Sequence, residues 1–179
     1  MPNDTPLSER VALQKLEEDD RALIDGLAQF YIYDFSEMGP IEDRDFDLGP
    51  DGRFSDLPDI DRYWRDSSAI ALVIRYEGRV AGFVLIDSHS HRDNGHVERN
   101  MGEFFVARQF RHCGIADEAL RQVLSTYPGR WEAAVLERNR IARSFWPRAI
   151  GAAPNVSDLI CVEGDGVHWT GPIWCFTAV

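Results

Sequence analysis

The feature that most restricts the fold is an apolar strand that turns directly into an amphipathic helix, midway along a chain otherwise rich in hairpins. Glu103-Phe104-Phe105-Val106-Ala107 leads into a turn over 108–114. Ile115, Ala116, Ala119, Leu120, Val123 and Leu124 then share one helical face until Pro128-Gly129 stops the helix. Residues 131–136 read as the next strand. A strand–helix–strand unit joins parallel strands and lays its helix on a sheet face. The expected fold class is therefore α/β (α+β in some schemes): a central mixed, mostly antiparallel sheet with helices on both faces, in a single domain over 1–179.

The remaining chain fits around this unit. Residues 10–16 alternate imperfectly and predict a first strand. Asp19 or Asp20 can cap a helix carrying Leu23, Ile24, Leu27, Phe30, Tyr31 and Phe35 to about Ser36. Residues 37–58 are acidic and broken by Gly39-Pro40, Gly49-Pro50, Asp51-Gly52 and Pro58, the pattern of a long functional loop. A short helix is expected over 59–66. The runs 69–76 and 80–86, divided by Glu77-Gly78-Arg79, predict a hairpin. A polar loop over 89–95 precedes a strand over 96–107. Asn139 is placed to cap a helix through about Trp146, which Pro147 should end or kink. Strands near 158–162 and 167–176 complete the order, without an internal repeat.

Composition removes several function classes. The net charge of −11 lacks the basic footprint that nucleic-acid phosphates demand, while a basic acceptor suits it. No stretch approaches the roughly 20 apolar residues of a membrane helix. Residues 1–5 lack a secretory pattern, so a cytoplasmic setting is expected. Cys113, Cys161 and Cys175 are odd in number and widely spaced, which suits neither a disulfide framework nor a zinc site. His89, His91 and His96 read as a polar loop, and no metal is expected.

The chemistry is concentrated at the strand–turn–helix. A helix N-terminus leaves backbone N–H groups unpaired and favours negative charge, so a pyrophosphate over the turn would satisfy it. Gly114 and Ala116 leave room for close approach, and Arg111 adds a positive charge. Asp117 and Glu118 oppose an anion if they point toward it.

The pattern Arg111-x-x-Gly114-x-Ala116 after a strand ending in Val106 resembles the acetyl-coenzyme A signature of the GNAT superfamily of N-acetyltransferases. A second match is Asn139, Ala142 and Phe145-Trp146 following a strand, and the strand–helix order agrees along most of the chain. Tyr33-Asp34-Phe35-Ser36, Gly52-Arg53-Phe54, Tyr63-Trp64 and Trp131-Glu132 are also similar to a bacterial subfamily of predicted acetyltransferases. The resemblance implies a GNAT-like sheet whose strands part at the thioester, with acetyl-coenzyme A as cosubstrate. Phe104, Phe105 and Val106 would align with the pantetheine arm, and Arg111, His112, Cys113, Gly114, Ile115 and Ala116 would hold the pyrophosphate. Asn139 would lie beside the coenzyme, with Arg143 near its terminal phosphate. Glu103 is the candidate general base, and Tyr31, Asp34 and Trp146 are candidates for the acceptor site. Trp146 replaces a tyrosine that often serves as general acid. The implied activity is direct acetyl transfer to a small-molecule amine. A protein lysine or N-terminal acetyltransferase and a non-catalytic coenzyme A sensor stand as alternatives. A homodimer is one open assembly, since such proteins are often dimers.

Overall fold

The computed structural model describes residues 5–42, 44, 46–92 and 95–179. Most of the residues read above for a secretory pattern, Met1–Asp4, lie outside them. Seven strands form one sheet: β1 (Val11–Lys15), β2 (Ile70–Tyr76), β3 (Arg79–Asp87), β4 (Arg99–Val106), β5 (Gly129–Ala134), β6 (Val156–Glu163) and β7 (Pro172–Ala178). Their spatial order is β1-β2-β3-β4-β5-β7-β6. Neighbours run antiparallel except β4 and β5, the parallel pair that the crossover helix requires. The helices are α1 (Leu7–Arg10), α2 (Arg21–Ser36), α3 (Arg62–Arg65), α4 (Ile115–Thr126) and α5 (Arg140–Gly151).

The central hairpin explains why its sequence is continuously apolar. On β2 and β3, Leu72, Ile74, Val84 and Ile86 face one core layer, where Leu120 and Leu124 of α4 and Ile150 of α5 cover them. Val73, Phe83 and Leu85 face the other, against Ile24, Ala28 and Ile32 of α2. Alternate residues thus bury opposite faces of one sheet, and neither face is left for polar side chains.

Several boundaries differ from the sequence expectation. The first strand is preceded by a single helical turn, α1. Before α2, Asp20 accepts the backbone N–H of Glu17 at 3.1 Å and closes a capping box across a short 3-10 turn. The helix expected over 59–66 contracts to α3. Pro147 does not end α5, which runs on to Gly151. The single hydrogen bond a proline removes is outweighed there by burial of Ala149 and Ile150. The last strand begins at Pro172 rather than 167, and Val167 lies exposed in a loop.

Candidate active site

Register determines where the sheet opens. β4 pairs with β5 only at Arg99↔Trp131 and Asn100↔Glu132. Along its other edge β4 stays paired with β3 as far as Gly82↔Val106. Leu85 pairs with Glu103 and Ile86 with Met101, which leaves Gly102 as an extra residue on β4. Such a bulge bends and twists the bulged strand, and it lies beside the point where β4 and β5 part. The gap is a cleft of about 520 Å³. Phe104, Asn139, Ala142 and Trp146 line it, with Tyr31, Phe35 and Glu103.

The turn before α4 exposes His112, Cys113 and Gly114. Gly114 has φ +82° and stands at the helix N-cap, where no side chain accepts from the backbone. A left-handed residue there favours glycine, and a Cβ would lie 3.0 Å from Leu7 Cδ2. The N–H groups of the first helical turn therefore meet no capping side chain. Neither acidic neighbour opposes an anion as a free charge. Asp117 pairs with Arg148 at 2.7 Å, and Glu118 is buried and held by Arg121 and Gln122. Cys113 Sγ donates to the Phe110 carbonyl at 3.0 Å.

Arg111 departs from the expectation of a free positive charge on the turn. Arg111 Nε donates to the Val106 carbonyl at 2.7 Å, and its Nη2 donates to Asp34. Arg108 Nε donates to the same carboxylate at 2.8 Å. Asp34, expected at the acceptor site, is thus the buried tie between α2 and the turn, and it is not among the residues lining the cleft. Asn139 Oδ1 caps α5 by accepting from Ala142 N at 3.0 Å. Arg143 Nη1 donates to the Glu137 carbonyl at 3.3 Å. Trp146 is buried, with its ring 5.4 Å from Phe104. Phe105 and Val106 are buried, and Ile115 and Ala116 open α4.

Glu103 stands at the junction of the cleft and a smaller space of about 170 Å³ beside Gly102. Its carboxyl accepts from Tyr31 Oη. Burial pushes it up to about 7, with Asp87 adding to the rise, while the Tyr31 hydrogen bond and Arg62 oppose it. Burial also drives the Tyr31 phenol well above its ordinary range, so it remains a donor. Such a carboxyl is a competent proton acceptor near neutrality.

Asp87 and Asn100 line the smaller space, and sequence reasoning singled out neither. Asp87 is buried and accepts from Tyr63 Oη at 2.6 Å, Asn100 Nδ2 at 3.0 Å and the His89 backbone at 2.8 Å. Buried Glu132 accepts from Ser90, His91 and Arg92, and so fixes the loop after β3. The available signal was three polar residues, Asp87, Asn100 and Glu132, inside or ending apolar strands. Trp146 lines the cleft, whereas Trp64 lines neither space. Among the described residues no three His, Cys, Asp or Glu side chains are grouped as a metal ion would need. No helix among them is long and apolar enough to cross a membrane.

The parallel pair of the mixed sheet opens beside an uncapped helix N-terminus, with the Glu103 carboxyl at the opening, as the resemblance to the N-acetyltransferases implies. Comparison with protein families agrees: residues 27–152 match the acetyltransferase (GNAT) family. The chain belongs to that family and is an acyltransferase. Among solved structures it is similar to an acetyltransferase from Thermus thermophilus, at 13% identity and TM-score 0.61, covering 94% of this chain and 97% of that one. It is also similar to a paia N-acetyltransferase from Thermoplasma acidophilum in complex with coenzyme A, at 11% identity and TM-score 0.58, covering 94% and 99%. A third is spermidine N-acetyltransferase from Vibrio cholerae in complex with coenzyme A and spermine, at 13% identity and TM-score 0.52, covering 94% of each chain. These likenesses show the shared fold. No match is found among curated proteins.

Proposed function

We propose that this chain transfers an acetyl group from acetyl-coenzyme A to the amine of a small acceptor. The observation that carries the reading is Glu103, with a pKa of about 7, set where β4 and β5 part and on the same cleft as Phe104, Asn139 and Trp146. Coenzyme-bound structures among the similar folds support acetyl-coenzyme A as the donor. The parted edge of β4 at Phe104, Phe105 and Val106 takes the pantetheine arm as an added strand. The backbone N–H groups over residues 112–116 take the pyrophosphate, since that of Arg111 already donates to the Arg108 carbonyl at 3.2 Å. Arg111 contributes its backbone to that turn and braces it through Asp34, while Asn139 and Arg143 flank the coenzyme from α5.

In the transfer step the amine nitrogen forms a bond to the thioester carbonyl carbon. Collapse of the tetrahedral intermediate breaks the carbon–sulfur bond, and the electron pair leaves with sulfur. Glu103 takes the proton released by the amine, directly or through one water. Trp146 has no O–H to give, so the proton for the thiolate comes from solvent. Tyr31 keeps Glu103 oriented from α2.

Calorimetric titration with acetyl-coenzyme A tests the donor site, with Gly114→Trp filling the turn as control. Micromolar binding that the variant loses, followed by amine-dependent thiol release, is the expected result. Absence of binding by folded protein overturns the reading. Tight binding without amine-stimulated thiol release would instead mark a coenzyme sensor.

A further inference from the structure

The pocket beside Gly102 holds one buried polar atom without a partner. Asn100 is 1% exposed, lines this pocket, and its Oδ1 receives no hydrogen bond. The amide orientation is fixed, because Nδ2 donates to the Asp87 carboxylate, and a flipped amide would set two acceptors against each other. A buried acceptor left unpaired is unfavourable, and a ligand N–H would satisfy it.

Charge and size narrow the ligand further. Carboxyl groups of Asp87 and Glu103 line the space, and the cation among them, Arg62, is shared between Asp87 at 3.5 Å and Asp59 at 2.9 Å. Burial holds the His91 imidazole below its ordinary range, so it adds little positive charge. The volume of about 170 Å³ is close to the ~150 Å³ that accommodates benzene, hence roughly six heavy atoms. Gly102 keeps the passage open: a Cβ there would collide with Tyr63 Oη. Glu103 lines both spaces.

We infer that the acceptor is a short primary diamine, its reacting nitrogen at Glu103 and its distal ammonium in the pocket formed by Asp87, Asn100 and Tyr63. This rests on the acetyl-transfer reading for the first nitrogen, whereas the second nitrogen's site stands on the pocket itself. The distal ammonium donates to Asn100 Oδ1 and adds a charge-assisted contact with the Asp87 carboxylate. A monoamine of equal length leaves both unanswered.

The test is calorimetric titration of the whole protein, with and without coenzyme A, using 1,4-diaminobutane, 1-aminobutane and 4-amino-1-butanol. The diamine is expected to bind at least about tenfold more tightly than either comparison ligand, the size of one charge-assisted hydrogen bond. In Asp87→Asn the ratio of diamine to monoamine affinity should fall toward one. Equal binding of the three by the wild type overturns the inference, whether or not the variant folds. An unchanged ratio in a folded variant also overturns it. Thiol release from acetyl-coenzyme A, followed separately with each amine, reports on acetyl transfer. Diamine bound selectively without thiol release would sink the transfer reading and leave the pocket assignment standing.

Discussion

Glu103→Gln removes the ionisable group from the junction of cleft and pocket while keeping its size and an oxygen for the Tyr31 hydroxyl. In the native protein Glu103 holds its proton up to about pH 7, whereas the ordinary carboxyl value is 4.5. Between these values the native state binds more protons than the unfolded state, so stability falls as pH rises. At about 1.4 kcal/mol per unit, the loss is complete above pH 7 and amounts to ~3 kcal/mol. The amide carries no such penalty. The variant's stability relative to wild type should therefore be constant below about pH 4.5, climb between pH 4.5 and 7, and level off ~3 kcal/mol higher. Urea denaturation of both proteins from pH 4 to 8.5 reads this difference, since Tyr31 and Tyr63, which the Glu103 charge also shifts, titrate above the window. A difference that stays flat across the window would refute the claim that Glu103 is held protonated. Acetyl transfer by the variant should drop by about 10²–10⁴-fold, the usual contribution of a positioned base.

Two other substitutions probe the framework. Tyr31→Phe removes the hydrogen bond that holds Glu103 down, so the acid limb of kcat/KM should move upward by about one pH unit, read from a pH–rate profile. Asp34→Ala strips the shared carboxylate from Arg108 and Arg111, leaving Arg108 only Glu37 at 3.7 Å and Arg111 the Val106 carbonyl. It should cost about 2–3 kcal/mol by denaturation, below the range for a fully buried pair because Arg108 is largely exposed.

Local pattern determined a good deal of this protein. The hairpin of β2 and β3, the turn before α4 and the cap at Asn139 all follow from short-range rules. Continuous apolar runs mark strands buried on both faces, a glycine marks the left-handed N-cap, and an Asx side chain starts a helix. The candidacy of Glu103 came from the family resemblance, which implies strands that part at the thioester, and its place within an apolar strand favoured a raised pKa. The limits of local pattern show at Pro147, expected to end or kink a helix that packing of Ala149 and Ile150 prolongs to Gly151.

Only tertiary structure decided the rest, because it depends on partners far apart in the chain. β7 inserts between β5 and β6, and no hydrophobic period encodes that order. Arg111 looked like a free charge for phosphate until Asp34, 77 residues away, took its guanidinium. Glu103 meets Tyr31 across 72 residues, and that juxtaposition, with burial, sets its proton affinity. Asp87, Asn100 and Glu132 read locally as polar residues in or at the end of strands. Folding removes them from water, and a buried polar group must then find a partner within the protein or in a ligand. The glycine turn before α4 was legible because its form is local backbone geometry, whereas the pocket beside Gly102 is an agreement among distant side chains.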